Sequence, residues 1–361
     1  MAKKLRWGVI GAGGIADRRT IPEGILKARN AELVAVMDQD AGLAKTLGNK
    51  YGVSAFSSVD DLVSHPEVQA VYIATPNFLH LEQAVAAMRQ GKHVLCEKPL
   101  AITVREIETM IREAKKAQVK LACGYMMRFH AAHQQLATMV RQGALGQLTL
   151  GRAQLTCWYP PMKGAWRQTK KLGGGGAFMD MGSHCVDLLE SFFGKTKRVH
   201  ASMKTLVHGY EVEDTSLVTL EFESGSMAVV DNQFNVPDIA ARNCLELYGS
   251  LGSALCEGTI GQSAGGDVRL FLENKKTGGY AAKQKRSESG GTLLKYRPVN
   301  TYQAQIEDLS SAVLDHREPM IGAEEALWNL RVCLAAYQAA KTGKTVQLPK
   351  TSTSRLPSPA R

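Results

Sequence analysis

Three things are scarce in this 361-residue chain: aromatic side chains at 6%, cysteines spaced as pairs, and long apolar runs. The apolar runs break well below the roughly 18 residues that a membrane-spanning helix needs, so no span is expected. Residues 1–7 lack an apolar core and a cleavage site, and they run straight into a strand-like segment, so no signal peptide is expected. The seven cysteines are Cys96, Cys123, Cys157, Cys185, Cys244, Cys256 and Cys333. An odd number without a CxxC pair argues against a disulfide frame or a zinc site, and it fits reduced thiols in a cytoplasmic protein that holds no metal.

Acid is also in short supply. The 34 Asp and Glu face 44 Lys and Arg, for a formal charge of +10. A basic balance raises nucleic acid, a membrane surface or an acidic substrate as partners. The excess is local, however. Residues 268–297 hold eight basic residues against two acids, and residues 341–361 hold five against none. Neither segment interleaves aromatic and basic residues, so neither nucleic acid nor membrane is the expected partner.

What is present is 44% hydrophobic residues, enough to fill two ordinary cores. Apolar strand-like runs at 5–10, 33–38, 69–74, 93–96 and 119–124 alternate with helical stretches at 14–28, 41–50, 78–90 and 103–117, with a short strand near Val53. That rhythm predicts βαβ units and a parallel sheet. After about residue 125 it changes. A helix at 132–142 leads to alternating runs at 148–158, 198–207, 214–222, 226–234 and 243–248, interrupted by a helix near 178–193 and closed by helices near 301–316 and 323–342. The expected architecture is an α/β Rossmann domain (residues 1–124) followed by an α+β domain with a large, mainly antiparallel open sheet (125–348). The Ser/Thr/Pro-rich residues 349–361 are expected to form a disordered tail.

The first chemical signal is Gly11-Ala12-Gly13-Gly14-Ile15-Ala16, which matches GxGxxG/A between the first strand and a helix. Gly11 permits a tight turn, Gly13 lets a pyrophosphate approach the backbone, and Ala16 allows close helix packing. The N–H groups and the positive helix end then face phosphate. Asp38, 22 residues after Ala16, ends the second strand, where a carboxylate can accept both ribose hydroxyls and repel a 2′-phosphate. NAD is therefore expected over NADP. A plain turn with a surface Asp is the bland alternative.

Two further clusters follow later strands. Thr75-Pro76-Asn77 and His80 follow the strand at 69–74, and Glu97-Lys98-Pro99-Leu100 follows 93–96. Ligands of open parallel sheets bind beyond strand carboxyl ends. By pattern alone, the default reading of Lys98 is a surface lysine paired with Glu97, and that of His80 is a helix-cap or packing residue. The third cluster is Trp166-Arg167, the run Gly173–Gly176, and Asp180-Met181-Gly182-Ser183-His184 with Asp187. On a helix, Asp180, His184, Asp187 and Ser191 share one face. Such a stripe can be a solvated face, but an Asp one turn from a His can set its tautomer and basicity. Trp158 and Tyr159 could wall a pyranose face or simply pack at a strand end.

GAGGIA, TPN-x-x-H, EKPL, GYMMRF (124–129) and WR…GGGAFMDMGSHCVDLL, in that order over residues 5–195, resemble the Gfo/Idh/MocA family of NAD(P)-dependent oxidoreductases. The resemblance implies hydride transfer at a hydroxyl of a sugar, cyclitol or related polyol. It also implies a homo-oligomer paired through the antiparallel sheet. Lys98 matches the catalytic lysine, and Asp180 and His184 match the polar pair. Gly11, Gly13, Gly14, Ile15, Asp38, Thr75, Asn77, His80, Glu97 and Lys98 match cofactor-facing positions. Arg128, Tyr159, Trp166 and Arg167 fall near the implied substrate pocket. The implied mechanism uses His184 as acid/base, Lys98 as the polarising partner and Asp180 to orient His184. Two other readings stay open: a glycoside-cleaving enzyme that cycles a retained cofactor, and a non-catalytic regulator that senses NAD or a sugar.

Overall fold

A computed structural model describes residues 3–273 and 290–350. The chain divides into two units that interleave in sequence. The first holds Met1–Met126, Gly164–Gly175 and Val299–Arg331, and the second Met127–Lys163, Gly176–Pro298 and Val332–Arg361. Segments 164–175 and 299–331, expected with the second domain, thus group with the first.

The first unit is built on six parallel strands: β1 (Leu5–Ile10), β2 (Ala31–Met37), β3 (Ser54–Phe56), β4 (Ala70–Ile73), β5 (His93–Cys96) and β6 (Leu121–Cys123). Their order is β3-β2-β1-β4-β5-β6. The doubly wound order reverses between β1 and β4, where open α/β sheets bind ligands. Helices on both faces explain the continuous apolar strands, and every residue of β4 is buried. Trp7 of β1 is fully buried and its indole N–H donates to Ser310 at 3.1 Å, fixing the helix Thr301–Leu314 to this sheet.

The expected helix at 14–28 is a π-helix over Ala16–Ile25 with Pro22 inside it. Proline has no N–H, so an α ladder cannot run through it unbroken. The ladder widens instead, and Leu26 N–H reaches the Ile21 carbonyl at 3.0 Å. A short helix, Val59–Ser64, lies outside the expected pattern.

The second unit's sheet holds β7 (Leu148–Thr156), β8 (Thr196–Lys204), β9 (Thr215–Phe222), β10 (Met227–Gln233), β11 (Cys244–Gly249), β12 (Gly252–Glu257), β13 (Asp267–Leu272), β14 (Thr292–Leu293) and β15 (Val346–Gln347). The order is β14-β13-β12-β11-β7-β10-β9-β8-β15, antiparallel except where β7 meets β10. One face is closed by the helix Ser183–Phe193. Gly151 in β7 makes that approach possible, because a Cβ there would lie 2.7 Å from the Phe193 ring. The opposite face leaves Leu150, Leu217 and Met227 between 40% and 57% exposed.

Strands β12 to β15 were not anticipated. β13 does alternate buried and exposed residues, but it lies among glycines and basic residues that read as a loop. The expected tail from Thr351 onward and residues 274–289 of the basic stretch lie outside the described residues. Among the described residues, no helix is long and apolar enough to cross a membrane.

Candidate active site

In the first unit, the glycine turn leaves β1 at the point where strand order reverses. Gly11 has φ +75°, and its N–H and that of Ala12 both donate to the Met37 carbonyl at 2.9 Å. A Cβ on Gly11 would come within 2.7 Å of the Thr75 methyl. Gly11 therefore serves both conformation and close approach. Gly13 N–H donates to Asp38 Oδ2 at 3.2 Å, and Asp40 N–H donates to Asp38 Oδ1 at the same distance. Asp38 is thereby fixed against the turn. Gly14, at φ +58°, would carry a Cβ into open space. Ile15 is half-buried beside it and Ala16 is fully buried.

The ends of β4 and β5 are tied together by His80. Its Nε2 lies 3.0 Å from the Thr75 carbonyl and its Nδ1 lies 3.1 Å from the Pro99 carbonyl. Burial pushes its pKa down to about 4, against the pull of the carbonyls, and the Arg167 charge adds to the fall. His80 bridges the two loops, and a ring with one N–H donates to only one of these carbonyls at a time. The Thr75 hydroxyl donates to Gln83 at 2.6 Å. Asn77 is 3% exposed. Its amide donates to the Gly173 carbonyl at 3.0 Å, while its buried Oδ1 has no partner among the described residues.

Glu97 sits on a buried hydrogen-bond chain. The Thr20 hydroxyl donates to Tyr72 Oη at 3.0 Å, and Tyr72 donates to Glu97 Oε1 at 2.5 Å. Burial raises the Glu97 carboxyl above its ordinary value, opposed by the Tyr72 hydroxyl and the Lys98 charge. Gly124 makes room for it, since a Cβ there would lie 3.1 Å from Glu97 Oε1. Lys98 follows directly, half-buried at the end of β5. Trp166 and Arg167 are half-buried in the first unit, with the guanidinium 4.2 Å from the indole centre.

In the second unit, Asp180 and His184 sit on a helix that changes pitch between them. Phe178–Gly182 is a π-turn and Ser183–Phe193 is α-helical. The expected single stripe therefore holds for His184, Asp187 and Ser191, while Asp180 precedes the change of pitch. Gly182 is forced by packing: a Cβ would lie 2.3 Å from the Phe178 ring and 2.6 Å from Asn232 Oδ1. His184 is buried and Asp180 half-buried. Arg128 pairs with Asp187 at 3.3 Å, both largely buried, so its guanidinium already has an anion within the protein. The Tyr159 ring packs on Phe234 at 4.9 Å, whereas Trp158 is 43% exposed and edge-on to His208.

Sequence reasoning overlooked Tyr72, Asn232, Glu213 and Tyr337. Glu213 accepts from Gly176 and Phe178 N–H, and the Tyr337 hydroxyl donates to it at 2.7 Å. Only the pairing of the acidic run Glu211-Val212-Glu213-Asp214 with a glycine run far away in sequence could have hinted at this.

The first unit fits a dinucleotide. It offers an open glycine turn, a carboxylate at the end of β2, and an orphaned buried acceptor, Asn77 Oδ1, past β4. Among the described residues, no cluster of His, Cys, Asp or Glu could hold a metal ion.

Known proteins resemble the chain over nearly its whole length. Residues 5–125 match the model "Oxidoreductase family, NAD-binding Rossmann fold", and residues 133–255 match "GFO/IDH/MocA C-terminal domain". The 1,5-anhydro-D-fructose reductase of Ensifer adhaerens is 32% identical over 95% of this chain and 98% of its own. A protein of Haloferax volcanii named D-xylose 1-dehydrogenase (NADP(+)) 2 is 27% identical over 95% of this chain and 100% of its own. The crystal structure of aldose-aldose oxidoreductase from Caulobacter crescentus, complexed with glycerol, superposes with a TM-score of 0.84 at 31% identity, covering 96% of this chain and all of that one.

Proposed function

Since the chain belongs to the Gfo/Idh/MocA oxidoreductase family, we propose that it oxidises a hydroxyl, or reduces the matching keto group, of a sugar, cyclitol or related polyol. It is an NAD(P)-dependent sugar oxidoreductase. The observation that carries the reading is near-full-length similarity above 30% identity to sugar oxidoreductases.

When bound, the nicotinamide supplies a hydride acceptor or donor. Gly14 and Ile15 offer their N–H groups to the phosphates, Gly11 and Gly13 shape the turn that lets the phosphates approach, and Asp38 holds the ribose hydroxyls. We favour NAD, because a carboxylate anchored by two backbone N–H groups cannot swing away from a 2′-phosphate. Thr75, Asn77, His80 and Glu97 bound the nicotinamide side. His184 takes the proton from the reacting hydroxyl, Lys98 donates to the same oxygen as negative charge develops, and Asp180 orients His184. Arg128, Tyr159, Trp166 and Arg167 shape the substrate side. Arg128 does so through Asp187, given their ion pair. The open sheet face, with Leu150, Leu217 and Met227, supports pairing with a second copy. Free and mostly buried cysteines suit a reducing cytoplasm.

The test is a screen of sugars and cyclitols with NAD, read as NADH absorbance. Turnover with at least one, abolished by Lys98→Ala and by His184→Ala without loss of NADH binding, is the expected result. Full turnover in either variant overturns the assignment of that residue.

A further inference from the structure

An α-type helix leaves its first N–H groups without partners, and an ordinary helix satisfies them with a local cap. The helical stretch that carries Asp180 and His184 has no local side-chain cap. Its N–H groups are met from a distance instead. Gly176 N–H donates to Glu213 Oε2 at 3.0 Å and Phe178 N–H to Glu213 Oε1 at 3.0 Å. Ala177 N–H donates to the Glu213 main-chain carbonyl at 3.0 Å. Met179 N–H donates to Tyr337 Oη at 3.1 Å, and the same hydroxyl donates to Glu213 Oε1 at 2.7 Å. Asp180 N–H then begins the helix's own ladder at the Gly176 carbonyl.

Two residues, one before β9 and one in the last helix, thus satisfy four successive donors. The contact is close enough to dictate sequence. A Cβ at position 176 would lie 2.0 Å from the Glu213 carbonyl oxygen, so the last glycine of the Gly173–Gly176 run belongs to this cap. The Tyr337 ring also packs edge-on against Phe178 at 6.0 Å between centres. Glu213 is buried, and burial raises its carboxyl above the ordinary value while the donors around it oppose the rise.

We infer that Glu213 and Tyr337 are positioning residues for the proton-transfer helix: they fix the first turn, and with it the placement of Asp180 and His184. Neither needs to touch substrate or cofactor. The kinetic part of this inference rests on the function proposed above; its backbone part does not.

Tyr337→Phe removes one hydroxyl and keeps the ring, and Glu213→Gln keeps shape while turning one acceptor into a donor. Amide hydrogen exchange on the full-length protein reads the cap directly. Both variants should lose at least about tenfold protection at residues 176–179, with β1 to β6 unchanged. On the same samples kcat should fall about tenfold, since small misplacement of a reacting group is costly. The NADH dissociation constant should stay within about twofold. The limb of the kcat pH profile that His184→Ala abolishes should move. Should Glu213→Gln not fold, Tyr337→Phe carries the test alone. Unchanged exchange at 176–179 overturns the cap whatever the activity. Lost protection with kcat and the pH limb unmoved overturns the positioning role. A wild type that turns over no polyol counts against the function, and the exchange result then decides the cap by itself.

Discussion

Gly14→Ala separates a glycine kept for folding from one kept for a ligand. Gly14 has φ +58° and an added Cβ meets nothing within 4 Å. The fold therefore bears only the left-handed strain, about 1–2 kcal/mol. At roughly 2–4 °C per kcal/mol for a domain of this size, the midpoint should fall by only a few degrees. Gly11→Ala is the control. It has φ +75°, and its Cβ would lie 2.7 Å from the Thr75 methyl and 3.0 Å from the Thr75 backbone nitrogen. Overpacking adds about 1–3 kcal/mol to the strain there. Thermal melts and NADH fluorescence titration on the same samples make the assay. Gly14→Ala should melt close to wild type yet bind NADH at least about tenfold more weakly, equivalent to ~1.4 kcal/mol, because the methyl fills space a phosphate needs. A small midpoint loss with unchanged affinity would refute the reasoning.

Three further outcomes follow. Asp38→Ser should lower the NAD-to-NADP ratio of kcat/KM about tenfold or more, because it removes the repelling charge; a wild type that already prefers NADP contradicts that role. Asp214→Asn tests acid stability. Burial pushes the Asp214 carboxyl up, but the N–H groups of His208, Leu206 and Val207 and the Thr215 hydroxyl outweigh it and hold it below 3.8. Its stabilisation is thus present above that value and lost as pH falls through the folded value. Urea melts should show the variant weaker at pH 7 by about 1–3 kcal/mol, with the gap closing in acid; a gap that does not change with pH argues against it. Arg128→Ala leaves Asp187 buried without its guanidinium and should cost about 3–5 kcal/mol at pH 7, part of it recovered when Asp187→Ala is added; a loss that the second substitution deepens in full points to packing instead.

The parallel unit was legible because its strands are apolar on both faces and its helices recur at regular intervals. Asp38 was legible because it ends a strand at a fixed distance from a glycine turn. The π-helix at Ala16–Ile25 was not: periodicity reads a helix but not its pitch, and Pro22 only hints that the ladder breaks. The same limit blurred the stripe from Asp180 to His184, where pitch changes at Gly182. β12 and β13 were hidden by glycines and charges that read as loop, although β13 alternates buried and exposed residues. Glu213 and Tyr337 were beyond reach for another reason. They meet the helix across 35 and 158 residues of sequence, and no local pattern marks an acid that caps a distant helix.

The central claim is net hydride transfer with His184 as acid/base. The most direct test incubates the protein with NAD and a panel of aldoses and cyclitols, and follows NADH and oxidised product together in wild type and His184→Ala. NADH should accumulate in step with product in the wild type. The variant should lose about 10²–10⁴-fold in turnover while binding NADH as before. Bond cleavage without NADH accumulation, or undiminished turnover in His184→Ala, would contradict the account.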